Sequence, residues 1–367
     1  MYLRSSFAAL AAVITISAAA AGPAPLCNAE TASVRKEWSA LTPDEQLGYI
    51  DAVWCLRGLP SHISNTEYPG VRDRYDDFVA THINLSMTIH RSASFLAWHR
   101  HYLFLFETAL KDECGYNGTI PYWDWTQNSN LYSNPIFDTS QPPEKGLSLS
   151  GDGAYNASAQ VTLIDQGVVF PAGRGGGCIL DGPLKDWTVH MGPTSVIPAL
   201  MNPYEPIPPE FFAYNPRCLE RNIRPSVVQW FNNASVIDRL LSVPSIEEFQ
   251  DMLDRAGRPP TWMIGAGIHP GGHTGLGGEM ADFFTSPQDP VFYLHHGMVD
   301  RVWDLWQCRG EQGERLRALN GTLVFLNPPE AEEATLDTVI EFGVLGGSRR
   351  IGELMDARGG EYCYRYE

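Results

Sequence analysis

Long charge-free apolar runs are almost absent from this chain. The one at the start, Phe7 to Ala19, follows Arg4 and ends in Ala19, Ala20 and Ala21 before Gly22. It is short for a bilayer span and has the order of an export signal with small cleavage-site residues. Later apolar segments, around Leu103 to Leu110 and Val291 to Leu294, are broken by His, Glu or Asp. Residues 1–21 are therefore expected to be a signal peptide, and residues 22–367 a soluble secreted protein. Basic charge is also in deficit, with 26 Lys and Arg against 43 Asp and Glu and a net charge of −17. Long-range repulsion then argues against nucleic acid or an anionic membrane as a partner.

No internal repeat is evident. The seven cysteines suit an oxidising compartment, where thiols tend to become disulfides, and the odd count leaves at least one without an internal partner. Several pairings satisfy the count. Glycosylation sequons begin at Asn84, Asn117, Asn156, Asn233 and Asn320. Asn84 is the least suited to a glycan because it stands close to a candidate metal ligand, His82.

Helix signals are clear in places. Thr42-Pro43-Asp44-Glu45 has a capping residue, a first-turn proline and a reciprocal capping partner, predicting a helix to about Cys55. Between Ser94 and Cys114, Phe95, His99, Leu103, Phe106 and Leu110 recur every three or four residues, an amphipathic helix stopped by Gly115. Asp289-Pro290 opens another, with Phe292, His296, Val299, Trp303 and Trp306 on its apolar face. Phe78 to Ile89 and Ser245 to about Arg255 give weaker helical segments. Gly, Pro and Asn crowd 127–177 and 192–209, predicting long irregular loops, and 323–367 reads as short strands or loops. The expected class is mainly α, a bundle with its site between the helices.

The histidines are unevenly placed. His82, His90 and His99 fall in one short stretch, and His269, His273 and His296 in another. A single inward histidine is usually a core residue with a hydrogen-bond partner, and His62, His101 and His190 are read as structural or exposed. Two triads are harder to ascribe to packing. Three imidazoles per site, with no cysteine or carboxylate at ligand spacing, fit copper or zinc and argue against calcium, magnesium and iron–sulfur chemistry. His269 and His273 could share a helix face, although Gly271 and Gly272 weaken a helix there. A ligating imidazole needs a partner for its other nitrogen. Asp300, one turn after His296, and Glu107 are the candidates.

The string His90-Arg-Ser-Ala-Ser-Phe-Leu-Ala-Trp-His99-Arg100 resembles the first copper-binding signature of tyrosinases. Asp289-Pro-Val-Phe-Tyr-Leu-His-His296-Gly-Met-Val-Asp300 resembles the second. Glu113 to Trp125, Gly177 to Pro183, Asn215 to Leu219 and Tyr362-Cys-Tyr364 are similar to short ascomycete polyphenol oxidases. The resemblance implies a central four-helix bundle with a few short strands and two copper ions, one on His82, His90 and His99 and the other on His269, His273 and His296. It places His295 near the site without binding metal, and Phe283 or Phe284 over the entrance. Pro270 stands where strong monophenol hydroxylases carry Asn, and proline has neither donor nor amide side chain. Thr88 replaces the cysteine that many fungal tyrosinases join to the second ligand, so no such crosslink is expected. No long inhibitory C-terminal domain is expected after the terminal tyrosine motif.

The implied activity is oxidation of o-diphenols to o-quinones with dioxygen reduced to water, and weak or no monophenol hydroxylation. A tyrosinase with substantial monophenolase activity, an o-aminophenol oxidase, an oxygen-binding copper protein without turnover and a zinc protein are the alternatives. The expected partners are small phenols and O2. Nothing in the sequence sets an oligomeric state.

Overall fold

The computed structural model describes residues 27–128, 130–165, 168–194, 196–254 and 267–367. The expected signal peptide lies outside the described residues. Helix α1 (Pro43–Gly58) starts as the sequence predicts. Thr42 Oγ1 accepts from the Glu45 N–H at 3.3 Å, and Glu45 Oε2 takes the Thr42 N–H at 2.8 Å. Helix α2 (Arg74–Ile89) is capped by Asp73, and α3 (Phe95–Cys114) ends at Gly115, whose φ of 67° only glycine adopts without strain. Then come α4 (Pro225–Phe231), α5 (Ala234–Ser242), α6 (Ile246–Asp254), α7 (Ile268–Leu276) and α8 (Val291–Cys308).

Helices α2, α3, α7 and α8 form the central bundle, with α1 against α2 and α3 and with α4 and α6 against α7. One apolar cluster runs through it, from Trp38 to Tyr364. Aromatic rings dominate. Phe106 and Tyr293 stack with centroids 3.5 Å apart, and the buried hydroxyls of Tyr75 and Tyr102 donate to the carbonyls of Pro287 and Phe78 at 2.6 and 2.9 Å. At these two tyrosines ring area is buried with the polar tip satisfied.

The strands are short and sit around the bundle. Ser33–Arg35 pairs in parallel with Tyr364–Tyr366, and Cys27–Cys363 closes the same pole. Cys55–Cys114 ties α1 to α3, Cys178–Cys218 joins two of the short strands, and Cys308 remains a free, exposed thiol.

The start of α8 has an anchor that local sequence did not reveal. Asp289 accepts the Val291 N–H at 3.0 Å and receives Arg221 Nε and Nη2 at 2.6 and 2.7 Å, both side chains being fully buried. Arg221 Nη1 also donates to the carbonyls of Leu149 and Ser150, so this loop is bound to the helix that carries His296. Arg221→Met leaves the Asp289 charge buried without a partner. It should lower unfolding free energy by about 3–5 kcal/mol in urea titration; a loss below about 1 kcal/mol would contradict the anchor.

Candidate metal centre

His82 on α2, His90 at its C-terminal cap and His99 on α3 are all buried. Their Nδ1 atoms lie 2.8, 3.0 and 2.8 Å from the carbonyl oxygens of Phe284, Ser86 and Phe95. A carbonyl only accepts, so each Nδ1 carries the proton and each Nε2 keeps its lone pair. The Nε2 atoms of His82 and His99 have no partner in the protein. An unsatisfied buried nitrogen is costly, and a cation at the focus of the three rings would remove that cost. Candidate ligand atoms of the triad lie within 4.8 Å of one another. Burial, the dominant cause, pushes the His82 imidazole down to about 3 and those of His90 and His99 well below their ordinary value. They are neutral donors.

The second group faces the first. His269 and His273 lie one turn apart on α7, His296 lies on α8, and the His273 Nε2 is 3.0 Å from His269 Nε2 and 3.2 Å from His296 Nε2. Three ring nitrogens this close need a proton or a metal between them. The His273 Nδ1 donates to the Met280 carbonyl at 2.8 Å. His99 and His296 stack with centroids 4.4 Å apart, and His90 and His269 are parallel at 6.3 Å, so the two triads face one another. All-imidazole donors suit copper or zinc.

His295 belongs to the second cluster by distance. Its chemistry separates it. Trp125 Nε1 donates to its Nδ1 at 3.1 Å, and its Nε2 donates to the His269 carbonyl at 3.1 Å, leaving no nitrogen for a metal. The ring instead holds α7 against α8. This explains Gly272, where a Cβ would fall 2.2 Å from His295 Cε1, and Gly271, where it would fall 2.6 Å from the Phe231 Cβ. The glycines that argue against a helix on propensity are there because α7 packs with no room for side chains.

Two expected orienting residues are elsewhere. Asp300 binds no histidine; it accepts from Arg100 Nε at 2.6 Å and from the hydroxyls of Tyr364 and Tyr366 at 2.6 and 2.5 Å. Burial would raise its pKa, but Arg100 and Arg35 hold it below the ordinary carboxylate value. Glu107 pairs with Arg35 at 3.1 Å and Lys111 at 2.5 Å, not with Arg100 or a histidine. The carboxylate that does meet a candidate ligand is Asp254, at the end of α6, 3.2 Å from His269 Nδ1.

A cavity of about 250 Å3 opens onto His90, His269 and His273. Pro270 and Phe283 line it. The Phe283 ring packs 4.6 Å from His90, whereas Phe284 is fully buried against Phe211 and serves the site through its carbonyl. Of the two phenylalanines, only Phe283 stands at the opening. His62 is exposed, His101 is bonded to the Tyr362 hydroxyl, and His190 is held by Asp76, all away from the two triads.

Residues 72–309 match the family model described as the common central domain of tyrosinase. The chain is 62% identical over its whole length to N-acetyl-6-hydroxytryptophan oxidase of Emericella nidulans, itself covered in full. It is 46% identical to Tyrosinase P of Aspergillus terreus, with 94% of each chain covered. A solved polyphenol oxidase from Thermothelomyces thermophila superposes with a TM-score of 0.82 at 34% identity, over 94% of this chain and 91% of that one.

Asp254→Ala removes the partner of the His269 Nδ1. Copper affinity, measured by competition with a chelator, should fall about 10–100-fold while the fold is retained. Unchanged affinity would remove Asp254 from the centre.

Proposed function

Because the chain belongs to the tyrosinase family of copper oxidases, we propose that it holds two copper ions and oxidises o-diphenols to o-quinones with O2. One ion would sit on His82, His90 and His99, the other on His269, His273 and His296. When bound, such a pair supplies the two-electron chemistry toward dioxygen that no amino-acid side chain has. Two catechols and one O2 give two o-quinones and two waters, so atoms and electrons balance without another reductant. The observation that carries this reading is that two clusters of histidine nitrogens, each within 4.8 Å, face one another in the bundle interior, with a ring of one stacked on a ring of the other.

The protein's own contribution is orientation and exclusion of water. Backbone carbonyls lock five of the seven clustered imidazoles, counting His295, and Asp254 holds His269. Phe283 against His90 limits how a ring can turn in the cavity. Pro270 brings to the wall neither a donor nor a side-chain amide with which to position a proton-accepting water. This favours diphenols, and the related o-aminophenols, over monophenols.

A second reading follows from the relative named for N-acetyl-6-hydroxytryptophan, whose similarity runs the full length of the chain. On it, the physiological substrate is a hydroxylated indole rather than a simple catechol. We also propose that the enzyme acts outside the cell. Three disulfides, one closing the two ends, support an oxidising compartment, and no described helix is long and apolar enough to cross a membrane.

Copper-loaded protein should contain two coppers per chain and consume oxygen with a catechol at once, with an o-aminophenol more slowly, and with the matched monophenol at least about tenfold more slowly. One metal per chain overturns the two-copper reading, and equal rates without a lag overturn the diphenol preference. Phe283→Ala should change the ranking of these substrates. Phe284→Ala should chiefly cost stability, about 3–5 kcal/mol in urea unfolding.

A further inference from the structure

The residue after His90 is Arg91, held with φ 46°, where its carbonyl accepts from the Leu326 N–H and from Asn327 Nδ2, each at 3.1 Å. Two independent bonds hold this residue in a left-handed conformation that a non-glycine residue adopts at a cost. The half-buried side chain lines the cavity over His90 together with Phe283 and Pro270, and it also borders a neighbouring cavity whose wall carries Glu247, Glu248, Asp251 and Glu333. Among the described residues its guanidinium has no carboxylate within ion-pair distance; its one aromatic neighbour is the Phe325 ring, 6.0 Å away. Arg35, Arg74, Arg100 and Arg221, all buried, are each paired with a carboxylate, whereas buried Arg224, away from this cavity, is not.

Two carboxylates share the cavity wall, and both are committed. Asp282 accepts from the Thr194 N–H and hydroxyl and from the Phe284 and Thr285 N–H groups, and Asp254 faces His269. Arg91 is the charged group of the wall with no partner. A guanidinium is a preorganised fork for a carboxylate. A ring whose hydroxyl points to the imidazoles would carry a short side chain back toward the opening, where Arg91 stands.

We infer that Arg91 is a specificity-determining residue that selects phenolic or hydroxyindole substrates bearing a carboxylate on a short side chain. This rests on the oxidase reading of the same cavity. It also runs against the protein's net charge of −17, which would otherwise disfavour anionic substrates.

The test uses the copper-loaded full chain and the variants Arg91→Gln and Arg91→Lys, with dihydrocaffeate, methylcatechol and dopamine as anionic, neutral and cationic catechols. Arg91→Gln should raise KM for dihydrocaffeate about tenfold, leave kcat within about twofold, and leave methylcatechol unchanged. Dopamine should improve, and Arg91→Lys should recover part of the dihydrocaffeate loss. Calorimetry with hydrocinnamate, which has no hydroxyl to oxidise, should show binding weakened about tenfold by Arg91→Gln, with its neutral amide unaffected. Equal KM changes for dihydrocaffeate and methylcatechol, or hydrocinnamate binding that ignores the substitution, overturn the inference. If no catechol is oxidised by the native chain, the oxidase reading fails, and the hydrocinnamate comparison still decides the role of Arg91.

Discussion

Packing several imidazoles into one protein interior is possible only if each is told which nitrogen to keep for the protein. Here the answer comes mostly from main-chain carbonyls. Phe284, Ser86, Phe95 and Met280 each take an Nδ1 proton, and a carbonyl cannot donate one back. The rings are thereby fixed in tautomer and direction before any metal arrives, and burial keeps them neutral. Preorganisation of this kind moves the cost of assembling the site into folding. The bundle, the aromatic cluster and the Arg221–Asp289 anchor together bear that cost.

Much of this frame could be read from residue order. The capped start of α1, the glycine stop of α3 and the apolar stripe of α8 are local features with local causes, and the structure has them where the pattern puts them. Both histidine triads were legible because imidazoles on apolar faces are unusual and these were clustered. The short helices α4 and α5, seven and nine residues long, were not, since so few turns carry little periodic signal. Helix α7 was obscured by Gly271 and Gly272, whose presence answers to His295 and Phe231, residues distant in sequence.

The orienting carboxylates show the same limit more sharply. Asp300 lies one turn from His296, and helical geometry puts it on a nearby face. Which group a buried acid meets is decided by the arginines and tyrosines that arrive from elsewhere, here Arg100, Tyr364 and Tyr366. Asp254 reaches His269 across fifteen residues of chain, and no spacing rule points to it.

The Cys27–Cys363 bond and the parallel pairing of Ser33–Arg35 with Tyr364–Tyr366 join the two ends of the described chain. Covalently, nearly everything between is a ring. A protease that nicks a surface loop between these cysteines therefore opens the ring without releasing a fragment, and both halves of the bundle, with their histidines, stay tethered at one pole.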